Sequence, residues 1–104
     1  MDTRKIIQNV IEYIDENIKS EISNYDLCNI TGYSYIHLVR LFKQYLGATP
    51  NEYMLRRRLL FAVYEMNGEI SKTDIAFNFG FDTYAGFYKA FKREFGCSPS
   101  KFTK

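Results

Sequence analysis

The sequence predicts an all-α fold of two like units, and three observations carry that prediction. Apolar residues recur at the three-and-four spacing of one helix face along most of the chain. The two prolines, Pro50 and Pro99, each open a helical pattern, where the missing N–H costs nothing. The chain also repeats itself. Ile22-Ser23, Asp26-Leu27 and Gly32-Tyr33 match Ile70-Ser71, Asp74-Ile75 and Gly80-Phe81 at an offset of 48. One extra residue then enters the second copy. Leu38, Arg40, Phe42-Lys43, Gly47, Pro50 and Tyr53 match Phe87, Lys89, Phe91-Lys92, Gly96, Pro99 and Phe102 at an offset of 49.

The elements follow in order. Residues 4–18 form a helix with Ile7, Val10, Ile11, Ile14 and Ile18 on one stripe. Ser23, with Asp26 three residues on, caps a short helix to about Ile30, which Gly32 breaks. Ser34 caps the next, whose apolar face is Leu38, Leu41, Phe42 and Tyr45, and Gly47 ends it. Thr49-Pro50-Asn51-Glu52 combines a cap, a proline and a carboxylate at the third helical position. The long helix it opens carries Leu55, Leu59, Ala62, Val63 and Met66 and stops at Asn67-Gly68. In the second copy Ser71 caps, Ile75-Ala76 sit inside and Gly80 breaks the helix. Asp82 is expected to cap the helix bearing Phe87, Ala90, Phe91 and Phe95, which Gly96 ends. Ser98-Pro99 starts a last turn holding Phe102.

Composition sets the outer limits. A chain of 104 residues is one domain, 1–104, divided into a first unit of about 4–48, a linker helix of about 50–66 and a second unit of about 70–103. At 46% hydrophobic and 17% aromatic it has too much apolar mass for a disordered tail. No apolar run reaches the roughly 18 residues of a membrane span, and Met1-Asp2-Thr3-Arg4 leads straight into an amphipathic pattern with no apolar signal core. The expected location is the cytoplasm. Cys28 and Cys97 are expected to stay reduced there. One histidine, His37, and no Cys-x-x-Cys leave no metal site, and no cofactor is expected.

Both units meet the steric conditions of a helix-turn-helix. The first helix needs a small residue where the second crosses it: Cys28 and Ala76. Four positions later the turn needs a residue that tolerates positive φ: Gly32 and Gly80. The second helix needs an apolar anchor: Leu38 and Phe87. An αα-hairpin of an ordinary bundle is the competing reading. With the anchors turned inward, Tyr35, Ile36, Val39, Arg40 and Lys43 form the outer stripe of one second helix. Tyr84, Ala85, Tyr88, Lys89 and Lys92 form that of the other. An α-helix fits the major groove of B-DNA. Arg40 suits guanine N7/O6, and Ile36, Val39 and Ala85 suit thymine methyls. The alternative is that Ile36 and Val39 pack on the first helix of their unit. The expected base contacts are thus Tyr35, Ile36, Val39, Arg40, Tyr84, Ala85, Tyr88 and Lys89. Lys43 and Lys92 suit phosphates, and so do Ser34, His37, Arg56, Arg58 and Thr83; Arg56 or Arg58 could instead brace the two units through an acidic partner.

Charge points the same way. Segments 34–66 and 82–104 hold ten basic residues against four acidic ones, and the rest of the chain holds four against eight. A basic face on an acidic body is the footprint of a polyanion partner.

On these residues the sequence resembles the AraC/XylS family of bacterial transcription regulators. The matching stretches are Gly32-Tyr33-Ser34, Arg40-Leu41-Phe42-Lys43, Tyr53 with Arg56 and Arg58, Ala62, Ile75-Ala76 and Gly80-Phe81. The most specific is Phe87-x-x-x-Phe91-Lys92-x-x-x-Gly96-x-Ser98-Pro99-x-x-Phe102. The resemblance implies a seven-helix domain in which two helix-turn-helix units, joined by a long linker helix, place recognition helices in successive major grooves. The expected partner is double-stranded DNA on the nucleoid, with RNA polymerase as a further one. Such regulators usually carry a sensing or dimerising domain as well, so the chain is expected to be either an excised piece or a stand-alone regulator, with Met1 pointing to the start of the parent protein. Gly86, Thr103 after the last aromatic, and Tyr84-Ala85 in place of polar readers depart from the family pattern. They lead to the expectation that the first unit specifies bases and the second mainly positions.

Two other functions compete. A helical module binding a protein such as RNA polymerase, with only non-specific DNA affinity, would show an exposed apolar patch away from the basic face. The sequence has no clear one, though residues 1–20 are acidic enough for a protein-facing surface. An enzyme would need paired catalytic groups. Asp15-Glu16 lie on opposite sides of a helix, and no nucleophile–base pair or phosphate-cradling loop is present. No catalytic residue is expected.

Overall fold

The structure is a computed structural model that describes residues 2–66 and 68–102. Met1, Asn67, Thr103 and Lys104 lie outside the described residues, and with them the expected Asn67 stop, the Thr103 departure and one of the ten basic residues. Seven helices and no strand occupy the described chain: α1 (Thr3–Glu16), α2 (Asn24–Thr31), α3 (Tyr35–Leu46), α4 (Pro50–Tyr64), α5 (Lys72–Asn78), α6 (Tyr84–Phe95) and α7 (Pro99–Phe102). They divide into two compact units, Met1–Leu55 and Arg56–Lys104, with the division inside α4.

Helices α1 to α6 each start where a side-chain oxygen takes up an orphan amide. Ser23 accepts from Asp26 N–H at 3.1 Å while the Asp26 carboxylate accepts from Ser23 N–H at 2.9 Å, a closed capping box. Thr49 and Glu52 close the same box at the head of α4. Ser34 caps α3 and Ser71 caps α5. The expected Asp82 cap is corrected to Thr83, whose hydroxyl accepts from Gly86 N–H at 3.0 Å. Thr83 is the offset-49 match of Ser34, so the extra residue of the second copy lies before the cap.

Helix ends shift by a turn or less. α1 stops at Glu16, short of Ile18, because Asn17 closes it: its N–H bonds Tyr13 and Ile14 carbonyls, and its side-chain amide bonds Tyr13 O at 2.9 Å. Ile18 is buried all the same. α4 ends at Tyr64, where Glu65 and Met66 bond three residues back in a tightened turn.

In the first unit α1 packs on α2 and α3, and α2 on α3. Ile6, Ile7, Val10, Ile14, Leu27, Leu38, Leu41 and Phe42 are buried there. Tyr45, expected on that apolar face, is exposed; its hydroxyl bonds Thr3 Oγ1 at 2.8 Å. The second unit packs α5 and α7 on α6 with a core of rings. Phe91 meets Phe87, Phe95 and Phe102 at centroid distances of 5.9, 4.7 and 5.4 Å. The Phe91–Phe102 contact is edge-on, a geometry that π-quadrupoles favour, and the other two are tilted.

Candidate nucleic-acid interface

The two helix-turn-helix units share a plan and differ at the turn. In the first, α2 ends on a single bond from Gly32 N–H to Cys28 O at 2.8 Å, with Gly32 at φ 75°. In the second, Gly80 N–H bonds Phe77 O and Phe81 N–H bonds Ala76 O, both at 3.0 Å, with Gly80 at φ 92°. That doubled pattern is a Schellman closure. Left-handed backbone at both places explains the glycines. The small contact residues also differ. Ala76 is fully buried, whereas Cys28 is half-buried, and both cysteines are free thiols.

With Leu38, Leu41 and Phe42 inside, α3 turns Ile36, Arg40 and Lys43 to solvent on one face. Ile36 is 68% exposed, so it does not pack on α2; Tyr35 and Val39 are half-buried. α6 buries Phe87, Ala90 and Phe91 and turns out Ala85, Lys89 and Lys92, with Tyr88 at the edge of exposure and Tyr84 half-buried. Every expected base-contact residue therefore lies on the outer stripe of α3 or α6, though Tyr35, Val39 and Tyr84 show only part of their side chains. Burial raises the Tyr35 phenol above 10.0, helped by the neighbouring Cys28 thiol. Burial, then Tyr88, does the same for Tyr84. Both phenols stay neutral donors at any physiological pH.

The expected phosphate-contact residues stand in different settings. Ser34 and Thr83 are exposed caps whose hydroxyls serve the first turns of α3 and α6. Lys43 and Lys92 are exposed in the last turns of those helices, where a cation also suits the helix dipole. His37 is exposed, and its ring lies flat on Tyr33 with centroids 4.3 Å apart and planes 10° off parallel. Arg56 reaches Glu94 of α6 at 3.5 Å within the second unit. The Arg57 guanidinium lies over the Phe61 ring, 5.1 Å from its centroid. Arg58 is half-buried. The Tyr33–His37 stack was not read from the sequence, although the four-residue spacing was its visible signal. Glu94 as the partner of Arg56 had no local signal, because the two lie 38 positions apart.

Gly86 has a local reason. A Cβ there would stand 3.3 Å from Thr83 Oγ1, tighter than ordinary contact, and would press on the cap of α6. Among the described residues no cluster of His, Cys, Asp and Glu could hold a metal ion, and no helix is long and apolar enough to cross a membrane.

Comparison with known proteins agrees with this geometry. A family model described as "Helix-turn-helix domain" matches residues 27–104. The regulatory protein SoxS of Salmonella typhimurium is 36% identical over 103 residues, covering 98% of this chain and 96% of that protein. The probable transcription factor PqrA of Proteus vulgaris is 33% identical over 100 residues, covering 93% and 82%. Among solved structures, an AraC-type DNA-binding transcriptional regulator from Chromobacterium violaceum superimposes with a TM-score of 0.86 at 28% identity, covering 94% of this chain and 88% of that one. Two capped helix-turn-helix units, each with a basic outer stripe, and a family match over residues 27–104 lead to one conclusion: the chain belongs to the helix-turn-helix family of AraC/XylS-type transcription regulators, and is a DNA-binding domain rather than an enzyme.

Proposed function

We propose that the chain reads a specific, asymmetric site in double-stranded DNA, with α3 in one major groove and α6 in the next. The carrying observation is the repeated outer stripe: Ile36, Arg40 and Lys43 on α3 recur as Ala85, Lys89 and Lys92 on α6, exposed in both. Tyr35, Ile36, Val39 and Arg40 contact bases in one half-site, and Tyr84, Ala85, Tyr88 and Lys89 contact them in the other. Ser34, His37, Lys43, Arg56, Arg58, Thr83 and Lys92 contact phosphates, Arg56 by exchanging Glu94 for the backbone. The first unit specifies more strongly, because Arg40 is the one forked donor among these readers and suits guanine bidentately. Selection of bound sequences from random duplexes tests this. The expected result is one enriched site with two unequal halves a helical turn apart; no enrichment, or a symmetric site, overturns it.

The domain organisation proposed is one DNA-binding domain, residues 1–104, acting within or beside a sensing or dimerising domain of its parent protein. Its cellular place is the nucleoid. RNA polymerase is the proposed protein partner. The outer faces of α1 and α2 support that, since Asn9, Glu12, Tyr13, Glu16 and Ile30 line a shallow groove of about 320 Å³. Charge reversal at Glu12 and Glu16 that lowers transcription while leaving duplex affinity unchanged supports this partner; unchanged transcription removes it.

A further inference from the structure

Ile36 is 68% exposed on the face it shares with Arg40 and Lys43, also exposed. Single exposed apolar side chains are ordinary on protein surfaces, so its exposure alone says little. The repeat supplies a second observation. The matching residue of α6 is Ala85, also second in its helix, also exposed, and also followed on its face by two cations, Lys89 and Lys92. Their neighbours diverge. His37 is matched by Gly86 and Val39 by Tyr88. Yet both units keep a side chain with no hydrogen-bonding atom in the first helical turn, the part of a recognition helix that meets base edges.

Such a side chain can tell base pairs apart only by apolar contact. The major groove offers one apolar group, the C5-methyl of thymine. We infer that Ile36 is a specificity-determining residue for a 5-methylpyrimidine, and that Ala85 makes a shorter-reaching version of the same contact in the second half-site. The inference rests on the proposed seating of α3 and α6 in the major groove, and it extends that reading. 5-Methylcytosine carries the same methyl at the same place, and Ile36 has no polar atom with which to distinguish its pairing edge from that of thymine. Binding therefore responds to cytosine C5-methylation: a cytosine at the contacted position makes a weak site, and its methylation a stronger one.

The test uses the full chain and its selected duplex. Each thymine is replaced singly by deoxyuridine, which keeps the pairing and removes only the methyl. At one position of the stronger half-site, wild-type protein loses about fourfold in affinity, the worth of one buried methyl group. 5-Methylcytosine at that position binds tighter than cytosine by a similar factor. I36A binds more weakly and shows neither effect, and I36V shows both in reduced form; Ile36 is exposed, so the fold tolerates both changes. Deoxyuridine indifference at every position overturns the inference and leaves the groove reading intact, as does a full deoxyuridine penalty retained by I36A. A chain that enriches no duplex sequence overturns both.

Discussion

Arg40 and Lys89 occupy matching places on α3 and α6, yet they are different chemical instruments. A guanidinium presents a rigid fork, and an ammonium is a point charge on a flexible stem. Arg40→Ala is expected to relax sequence preference at one base pair and cost about 1–3 kcal/mol of binding. Lys89→Ala is expected to relax preference less, in the other half-site, with more of its loss shared by all duplexes. Side-by-side selection with the two variants checks the division, and equal loss of preference in both half-sites would defeat it. Tyr35 and Tyr84 support a different prediction. Their phenols are raised above 10.0 in the folded chain, so the fold favours the neutral form. The stability this carries is complete below pH 10.0 and is lost as pH climbs through the raised folded values. Absorbance titration near 295 nm should show Tyr35 and Tyr84 ionising late, with folding weakening over the same alkaline range. Y35F and Y84F should each remove one late step.

Helix caps and the ring core set the balance for the elements. Ser34→Ala and Thr83→Ala each remove the acceptor for a first-turn amide and should cost about 1 kcal/mol in chemical denaturation. Phe91→Ala empties the centre of the ring cluster and should cost about 3–5 kcal/mol. These elements were largely legible in the sequence, because each rests on a local rule. A hydroxyl three residues before an acceptor-seeking amide marks a start, and a glycine marks a stop. Reading failed where two local rules competed. Asp82 and Thr83 are both good caps, and only the register of the repeat, which pairs Thr83 with Ser34, separates them. It failed again where distant chain intervened. Tyr45 reads as core by its spacing from Leu38 and Leu41, but its hydroxyl instead meets Thr3 at the start of α1. The reading stripes were legible for a simple reason: once the apolar anchors are assigned inward, helical geometry leaves Ile36, Arg40 and Lys43 nowhere else to point. Ring orientations were not legible, since spacing alone does not say that Tyr33 lies on His37.

For the whole molecule, charge partition matters more than net charge. A chain at +2 gives little warning of a polyanion partner, but its basic residues are concentrated around the recognition helices and α4. Roughly 5–8 phosphate contacts imply a slope of about −5 to −7 in log affinity against log salt. Duplex titrations between low and moderate salt measure it directly, and a flat response would count against groove binding. The near-repeat of the two units, with one inserted residue and a different turn closure, also explains how one chain can present two unlike faces from one plan.

The free thiols have a practical consequence. Cys28 lies in the first unit and Cys97 in the second, each half-buried. A half-buried thiol reacts with an alkylating reagent mainly when its surroundings open, so its reaction rate is a clock for local breathing. The protein thus carries one native clock in each unit, with no engineered cysteine needed. Mass spectrometry of partly labelled chains would time the two units separately in one tube. Adding duplex would show which unit DNA quiets first.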